Sequence, residues 1–387
     1  MKKKIAILGS TGSIGKTLFN ILLKEKKNFE IVLLVANKSH KVLMKQAKAF
    51  NVKNIIITNK KNYKILKKET IKTNIQVFND FTQMNKIFKK KIDYVLSSIS
   101  GIQGLEPTTK IIKFTKKIAI ANKESIICGW NLIQTELKKH KTEFIPVDSE
   151  HFSIWYGLKN FKTINLEKVF LTASGGPFYK TTLNNFEKIK ISDALNHPNW
   201  KMGKKISIDS ATMINKVYEV IEAKKVFNIG YQKIKILIHP KSYIHAILKF
   251  NNGLTNIIVH DTTMKVPIFN TLFLNSNRKL KTNKINTKIL NNLDLNNVNV
   301  TRYPMIKLLN FLPDNNSLFE TVIVATNDKL VELFLNNKIK FTDIQKKLFK
   351  TIKKKEFQKF KKILPSNISD ITNLNYYVRL KIDENNI

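Results

Sequence analysis

The sequence predicts an α/β protein that begins with a mostly parallel, doubly wound sheet carrying helices on both faces. Short apolar runs alternate with amphipathic stretches through about the first 150 residues, and this alternation is typical of strands joined by crossover helices. A glycine-rich loop at residues 9–15 separates the first apolar run from the first amphipathic stretch. After Val169 the apolar runs become longer, which indicates a second, central α/β domain.

Each predicted strand is built on an apolar run. In the first part of the chain these are Ile5–Leu8, Ile31–Val35, Ile55–Ile57, Tyr94–Leu96, Ile118–Ala121 and Phe144–Val147. Helical spacing of apolar residues is clearest between them at Ile14–Lys24 and Val42–Phe50. Further strands are expected at Val169–Thr172, Ile234–Ile238, Tyr243–Phe250 and Leu254–Val259.

The loop Gly9–Gly15 follows the first predicted strand and opens a predicted helix. Its glycines allow a tight turn and close approach of the backbone to a ligand, and the helix N-terminus offers free N–H groups to a pyrophosphate. The spacing G-x-x-G-x-x-G therefore predicts a Rossmann-like nucleotide site. The second strand is followed by Asn37, Lys38 and Ser39 instead of an acidic ribose ligand. This favours NADPH, although a solvated surface lysine is the competing interpretation of Lys38.

Two carboxylates two residues apart, Asp148 and Glu150, follow the apolar run at residues 144–147. Side chains at the end of a buried strand can face one point, and hard oxygen donors suit Mg²⁺ or Mn²⁺ better than Zn²⁺. Capping carboxylates are also common at strand ends, so this pair alone is weak evidence for a metal site. A third acid, Glu219, lies in a segment expected to be helical from about Ala211.

Three further segments carry polar residues that could bind a ligand. Residues 121–125 hold either cofactor and substrate ligands or only the start of a helix with Glu124 in its first turn. Residues 172–178 carry a hydroxyl and two glycines, the composition of an anion-binding nest or of an ordinary turn. Residues 196–204 combine an aromatic, cations, proline and glycine without helical period, which predicts a lid that closes over a ligand.

The formal net charge of +40 is almost all lysine, with arginine only at positions 278, 302 and 379. Nucleic-acid sites favour arginine, and the lysines are spread along the chain among residues with AT-rich codons. We therefore expect no nucleic-acid partner; the competing hypothesis of a nucleic-acid-binding protein predicts clustered basic faces. The charge would still attract anionic, phosphorylated substrates.

The N-terminal residues, the length of the apolar runs and the single cysteine indicate the cellular compartment. The lysines at positions 2–4 run straight into a strand, and no apolar run approaches the roughly 20 residues that span a bilayer. We expect a bacterial cytoplasmic enzyme without a membrane partner. The one cysteine, Cys128, excludes an internal disulfide. A dehydrogenase with a catalytic cysteine is a competing hypothesis, for which Cys128 beside Gly129-Trp130 is a poor candidate.

We place the domain boundaries where the composition and the apolar pattern of the sequence change. Residues 1–148 are predicted to form the Rossmann-like, NADPH-binding domain, and residues 149–275 a catalytic domain with a metal site and a mobile lid at about 194–204. Residues 276–300 are rich in Asn, Lys and Thr without clear periodicity, which predicts a linker. Residues 301–387 are predicted to form a small C-terminal helical bundle.

The run of motifs resembles the 1-deoxy-D-xylulose 5-phosphate reductoisomerase family. The matching elements are GSTGSIG (9–15), ANKES (121–125), PVDSEH (146–151), SGGPF (174–178), HPNW-x-MG-x-KIS-x-DSATM-x-NK (197–216), LIHP-x-S-x-IH (237–245) and RYP (302–304). They occur in family order over nearly the whole chain. The resemblance implies a homodimer that isomerises and reduces 1-deoxy-D-xylulose 5-phosphate to 2-C-methyl-D-erythritol 4-phosphate with NADPH and Mg²⁺ or Mn²⁺, in non-mevalonate isoprenoid precursor synthesis.

The resemblance also implies roles at the matching positions. The metal would be held by Asp148, Glu150 and Glu219. Catalysis would involve Lys123, Asp148, Glu150, His197 and Glu219. Substrate would be contacted by Lys123, Ser149, Glu150, Ser174, His197, Trp200, Ser210, Asn215, Lys216 and Glu219, with Ser174, Ser210, Asn215 and Lys216 on its phosphate side. NADPH would be bound by Thr11, Gly12, Ser13, Ile14, Asn37, Lys38, Ser39, Asn122, Glu124, Gly203 and Met264. Trp200 and Met202 would be lid residues, and His245 would lie near the substrate.

Three positions depart from the family pattern. Val217 stands where glycine usually follows the NK pair, Thr262-Thr263 replaces a more usual Pro-Asp before Met264, and residues 325–328 are a degenerate form of an Ala-Asn-Glu motif. None removes an implied metal ligand. We therefore expect an active enzyme of lowered stability.

Overall fold

The computed structural model describes residues 1–384, and contacts group the chain into two compact units. Unit 1 comprises Met1–Ser125, Leu132–Asp148 and Met264–Leu280. Unit 2 comprises Ile126–Asn131, Ser149–Thr263 and the chain from Lys281 onward. The predicted α/β class is confirmed. The predicted division into two domains, a linker and a helical bundle stays a prediction, and residues 385–387 of that bundle lie outside the described range.

Over the first 150 residues, strands and helices follow one another in the alternating order that the sequence predicts. The strands are β1 (Lys3–Leu8), β2 (Phe29–Ala36), β3 (Asn54–Ile57), β4 (Gln76–Phe78), β5 (Tyr94–Ser97), β6 (Lys117–Ile120), β7 (Glu143–Pro146), β8 (Leu166–Ala173), β9 (Ile234–Ile238), β10 (Ile244–Phe250), β11 (Thr255–Val259) and β12 (Asn296–Asn297). The helices are α1 (Ser13–Lys24), α2 (His40–Phe50), α3 (Lys60–Glu69), α4 (Met84–Ile87), α5 (Leu105–Ile111), α6 (Lys123–Lys139), α7 (Ser149–Gly157), α8 (Ile191–Leu195), α9 (Lys204–Ala211), α10 (Ile214–Phe227), α11 (Lys265–Phe273), α12 (Thr287–Leu290), α13 (Phe319–Leu335), α14 (Phe341–Ile352), α15 (Lys355–Gln358) and α16 (Ile368–Glu384).

The sheet of unit 1 is parallel, with the strand order β4-β3-β2-β1-β5-β6-β7. The order reverses between β1 and β5, and doubly wound sheets bind ligands at the carboxyl edge beside such a reversal. Helix α11 packs into the core of this unit, where Phe273 contacts Phe29 edge-to-face. Parallel strands end at one edge, so the segments after β1, β2, β6 and β7 line that edge.

The sheet of unit 2 has the order β11-β10-β8-β9-β12, in which only β8 and β9 pair in parallel. Its core includes Ile154 of α7, Val220 of α10, and Leu171 and Leu248 from the central strands. Residues 216–223 of α10 are all buried, so the charged side chains on this helix need partners inside the unit. Among residues 1–384, no helix is both long and apolar enough to cross a membrane.

Most element predictions are confirmed, with ends that differ by up to three residues. Strands β4 and β12 were not predicted, because runs of three and two residues are too short to show periodicity. The range predicted as a linker contains α12 and β12. The helix predicted from about Ala211 is wrong in one detail. Helix α9 ends at Ala211 and α10 begins at Ile214, because Met213 adopts a left-handed φ of 65°.

Candidate active site

The loop after β1 has the backbone geometry that its glycines predict. Gly9 has a φ of +82°, and an added Cβ there would lie 2.6 Å from the Ser98 carbonyl oxygen. A Cβ on Gly15 would lie 2.3 Å from the Gly9 carbonyl oxygen, so only glycine lets α1 approach this close to the turn. Of the predicted cofactor residues here, Gly12 and Ser13 are exposed and Thr11 and Ile14 are half-buried. The loop therefore presents an accessible helix N-terminus at the sheet edge.

The three predicted cofactor residues after β2, Asn37, Lys38 and Ser39, are all exposed. Backbone contacts fix this segment, because the Lys38 carbonyl accepts hydrogen bonds from the Asn62 side chain at 2.7 Å and from the His40 backbone at 2.8 Å. The side chains are thus left facing solvent at the carboxyl edge of the sheet. This is the position at which a doubly wound sheet contacts the adenosine ribose of a dinucleotide.

Helix α6 begins with a buried polar cluster. Asn122 is its N-cap and accepts a hydrogen bond from the Ser125 backbone at 2.6 Å, while its amide nitrogen donates to the Ile99 and Gly101 carbonyls. Lys123 is 8% exposed and forms an ion pair of 3.0 Å with Asp148, which follows β7. Glu124 is buried in the first turn. The segment is therefore a capped helix start, and it also carries charged groups at the sheet edge.

Within unit 2, two carboxylates converge on one ammonium group. Lys216 Nζ lies 2.6 Å from Glu150 Oε1, is also paired with Glu219, and donates to the Thr172 carbonyl at 2.5 Å. Burial by itself lowers the pKa of Lys216, but the two carboxylates outweigh it and hold the pKa above its ordinary value. Asn215 donates to the other oxygen of Glu219. The cluster is therefore a charged, nearly dry site with a fixed cation.

The donor set fits a divalent metal ion. Ligand oxygens of Glu150 and Glu219 lie within 4.8 Å of each other, and both carboxylates already surround a positive charge. Ser149 donates to the second oxygen of Glu150 at 2.6 Å, which fixes the orientation of that carboxylate. Asp148 is two residues from Glu150 along the chain. Hard oxygen donors of this kind are the ligands that Mg²⁺ and Mn²⁺ prefer.

The turn after β8, which the sequence predicts as an anion-binding nest or an ordinary turn, is called the nest turn below and contains two glycines in the left-handed region. Gly175 and Gly176 have φ values of +84° and +66°, and the Gly176 backbone donates to Ser174 Oγ at 3.0 Å. A Cβ on Gly176 would lie 3.0 Å from the Ser210 carbonyl oxygen, so the turn packs against the end of α9. Ser210, predicted at the phosphate side, therefore lies beside the turn that also carries Ser174. Lys216 contacts the carboxylates in this structure, and its predicted phosphate contact stays a prediction.

The predicted lid is held at its start by His197. The imidazole Nδ1 accepts hydrogen bonds from the backbone N–H groups of Asn199 and Trp200 at 3.1 and 3.0 Å, so the ring proton is on Nε2, 3.1 Å from Ser174 Oγ. Burial lowers the pKa of His197 to about 4. His197 is therefore neutral near pH 7, which both backbone hydrogen bonds require.

The remaining lid residues differ in exposure. Trp200 is half-buried and contacts His245 edge-on, with ring centroids 6.3 Å apart. Met202 is half-buried, whereas Gly203 is exposed at the N-cap of α9. Gly203 lies in unit 2, unlike the other predicted cofactor residues, which lie in unit 1 together with Met264.

Several contacts around the candidate site were not predicted from the sequence. Arg302 donates to the Phe178 carbonyl at 2.8 Å and also to the Thr181 carbonyl, and Tyr303 donates to the Gly175 carbonyl at 2.8 Å. These two residues hold the nest turn in place. The RYP motif was visible in the sequence, but a contact across more than 120 residues leaves no local signal.

A second set of contacts that was not predicted involves His151 and the buried charged residues of α10. His151 Nε2 is 2.9 Å from the Glu219 carbonyl oxygen, and its Nδ1 is 3.5 Å from Glu222. Farther along the same helix, Lys225 pairs with Glu320 of α13 at 2.8 Å. Positions 216, 219, 222 and 225 are thus a buried charged stripe at i, i+3 spacing, a signal that the sequence did offer.

Cys128 does not have the environment of a nucleophile. It is 1% exposed, inside α6 beside the kink at Gly129. A reactive thiol needs access and an electropositive surrounding. The structure therefore argues against the competing dehydrogenase hypothesis, which requires an accessible catalytic cysteine.

Comparisons with known proteins find one family along most of the chain. Family models described as 1-deoxy-D-xylulose 5-phosphate reductoisomerase match residues 5–129, its C-terminal domain residues 144–227, and a further DXP reductoisomerase C-terminal domain residues 260–380. The 1-deoxy-D-xylulose 5-phosphate reductoisomerase of Pelagibacter ubique is 59% identical over 382 residues, covering 98% of both chains.

Two solved structures are also similar to this chain. The Zymomonas mobilis reductoisomerase in complex with NADPH has a TM-score of 0.88 at 28% identity, covering 100% of this chain and 99% of that one. A DOX-P reductoisomerase in complex with NADPH, fosmidomycin and magnesium has a TM-score of 0.89 at 27% identity, covering 99% and 98%. The chain belongs to the 1-deoxy-D-xylulose 5-phosphate reductoisomerase family.

Proposed function

We propose that this chain isomerises 1-deoxy-D-xylulose 5-phosphate and reduces the product with NADPH to 2-C-methyl-D-erythritol 4-phosphate. The observation that carries the proposal is the carboxylate pair Glu150 and Glu219 converging on Lys216, beside a nest turn suited to a phosphate group. Family membership names the substrate and the reaction.

The metal ligands in this proposal are Asp148, Glu150 and Glu219, with Mg²⁺ or Mn²⁺ as the ion. When bound, such an ion polarises the keto and hydroxyl oxygens and stabilises negative charge that develops on them. The chain's own residues orient these ligands: Ser149 donates to Glu150, and Asn215 donates to Glu219. Lys123, paired with Asp148, supplies a further positive charge for a substrate oxygen.

The substrate residues in this proposal have distinct tasks. Ser174, Ser210 and the nest turn bind the phosphate through hydroxyl and backbone N–H groups, with Asn215 and Lys216 near by. His197 contacts the substrate from the lid, and Trp200 excludes water when the lid closes. NADPH binds to Thr11–Ile14, Asn37–Ser39, Asn122, Glu124, Gly203 and Met264, with Lys38 at the 2′-phosphate.

Assembly and location complete the proposal. Strand β11 lies at the edge of its sheet; Ile257 in this strand is 46% exposed and Leu254, just before it, is 55% exposed. Apolar edge strands favour pairing, so we propose a homodimer. We propose no nucleic-acid partner, because all three arginines are engaged, with Glu25, with the nest turn and with Glu332 respectively. A free cysteine and the use of NADPH suit the bacterial cytoplasm.

The test is a spectrophotometric assay of NADPH oxidation with 1-deoxy-D-xylulose 5-phosphate. Oxidation should require Mg²⁺ or Mn²⁺ and should stop when EDTA is added. 2-C-Methyl-D-erythritol 4-phosphate should accumulate in equal amount to the NADPH consumed. Oxidation that is independent of this substrate, or that persists in EDTA, would contradict the proposal.

A further inference from the structure

The segment His260–Thr262 follows edge strand β11, within unit 2. Two of its side chains, His260 and Thr262, reach toward the residues on which the lid rests. Neither is among the metal, substrate or cofactor ligands proposed above. Thr262 is also one of the positions at which the chain departs from its family pattern.

The first contact is a stack of two imidazole rings. His260 and His245 have ring centroids 3.6 Å apart and planes inclined by 11°, and His245 in turn contacts Trp200. The His260 ring is fixed in its plane because Nδ1 lies 2.8 Å from the Asp261 carbonyl oxygen, a position that requires a proton on Nδ1. His245 Nε2 lies 3.3 Å from the His260 carbonyl oxygen. A rigid ring thus supports the ring that supports the lid tryptophan.

The second contact is a chain of hydrogen bonds. Thr262 Oγ1 donates to the Ser242 carbonyl at 3.2 Å. The Asn199 side chain, in the lid, donates to Ser242 Oγ at 2.8 Å and to the Pro240 carbonyl at 2.6 Å. Ser242 has a left-handed φ of 50°, a conformation that needs support from its surroundings in a residue other than glycine. Thr262 supplies part of that support.

We propose that His260 and Thr262 are positioning residues that hold the start of the lid, Asn199 and Trp200, in place before the substrate binds. The proposal rests on the proposed function of the lid. A lid that is already ordered loses less conformational entropy when it closes, so substrate binding is stronger for the same contacts. Removing the support should therefore raise the KM for the phosphorylated substrate and leave kcat nearly unchanged.

The kinetic test compares disruptive with conservative substitutions. His260→Ala and Thr262→Val should each raise the substrate KM about three- to tenfold, the size expected for loss of one aromatic or hydrogen-bonded contact. His260→Phe retains a ring and Thr262→Ser retains the hydroxyl, so both should restore the wild-type KM within about twofold. The KM for NADPH should not change in any variant.

Thr255→Val, on the exposed start of β11, is the matched control and should behave as wild type. A purely structural role would lower the melting temperature of His260→Ala and Thr262→Val and leave the KM of the folded enzyme unchanged, and that result would overturn the proposal. So would a raised KM in His260→Phe and Thr262→Ser equal to that of the disruptive variants. Thr262→Val removes only one hydroxyl interaction, so it tests the proposal even if His260→Ala does not fold.

A fluorescence measurement tests the positioning without turnover. The chain has three tryptophans, and Trp130→Phe with Trp155→Phe leaves Trp200 as the only one. In the absence of substrate, His260→Ala and Thr262→Val should increase the quenching of Trp200 by acrylamide, and His260→Phe should not. Unchanged quenching would refute the positioning role. Failure of the wild-type enzyme to turn over the substrate would instead refute the proposed function.

Discussion

Lys38 is the residue on which the predicted preference for NADPH depends. It is exposed after β2, its carbonyl is fixed by Asn62, and no acidic side chain lies among residues 37–39. An acidic residue at this position would bind the ribose hydroxyls of NADH, whereas a lysine suits the 2′-phosphate of NADPH. The competing interpretation is a solvated surface lysine that does not contact the cofactor, and a substitution separates the two.

Lys38→Glu should reduce the preference for NADPH over NADH, expressed as the ratio of kcat/KM values, by about tenfold or more, because it replaces attraction to a phosphate by repulsion. Steady-state kinetics with both cofactors measure the ratio. Lys41→Glu, at an exposed neighbouring lysine of α2, controls for the change in net charge. Equal ratios in wild type and Lys38→Glu would show that Lys38 does not contact the 2′-phosphate.

His197 should make the enzyme sensitive to acid. Burial lowers its pKa to about 4, while an unfolded chain would take up the proton at about 6.5. The unfolded state therefore binds more protons between these values, and stability falls as the pH falls through that window. Protonation of Nδ1 would also remove the two backbone hydrogen bonds of the lid.

His197→Gln removes this titration. Between pH 7 and pH 4.5 its melting temperature should fall less than that of wild type. His40→Gln controls for the loss of a histidine elsewhere. Thermal unfolding followed by circular dichroism across the pH range measures the difference. Parallel curves for wild type and His197→Gln would show that the imidazole of His197 does not oppose protonation in the folded state.

The predicted lid at residues 196–204 is an irregular segment between two helices. Its start is docked through His197 and Asn199, whereas Lys201 and Gly203 are exposed. Trp200 is only half-buried, so it is not part of the core. This exposure favours a lid over a structural role for Trp200.

Trp200→Ala should lower kcat/KM by on the order of 10- to 1000-fold, equivalent to roughly 1.4–4 kcal/mol, because the closed lid would no longer exclude water. The melting temperature should hardly change, since the lid contributes little to the core. Lys201→Ala, at the next residue, is the control. A large fall in melting temperature with normal kinetics at low temperature would show that Trp200 stabilises the fold instead.

Elements with strong periodicity were predictable from the sequence, and short or irregular ones were not. Strands such as β1 and β9 follow directly from apolar runs, whereas β4 and β12 are too short to show a pattern. The break at Met213 carries no glycine signal, because the left-handed conformation is held by packing around a buried methionine. Contacts with the rest of the fold, and not local sequence, determine these short strands and this helix break.

The residue types of the candidate active site were predictable, whereas its contacts between distant segments were not. The acids of the PVDSEH motif, the nest glycines and the lid were visible as motifs, because their chemistry needs particular residue types in order along the chain. The contacts of Lys216 with Glu150, of Arg302 with the nest turn, and of His260 with His245 depend on how distant segments fold together. No local pattern encodes such contacts.

The charge of the molecule has two separate parts. The excess of +40 lies mostly on lysines spread along the chain and would attract anionic substrates from a distance. The buried charges are different, since Lys216, Glu219, Glu222 and Lys225 each have an opposite charge or a histidine beside them. Breaking one such pair leaves an uncompensated buried charge, which is strongly destabilising. The buried charges, and not the surface lysines, define the chemistry of the candidate site.

The most direct measurement is the binding of Mn²⁺ followed by electron paramagnetic resonance, in wild type and in Glu219→Gln. Wild type should bind Mn²⁺, and Glu219→Gln should bind it at least about tenfold more weakly because it loses a charged ligand. NADPH binding should be the same in both, since the proposed cofactor residues are elsewhere. Glu167→Gln, on an exposed ion pair with Lys249, is the control. Equal affinity of wild type and Glu219→Gln for Mn²⁺ would contradict a metal site at Glu150 and Glu219.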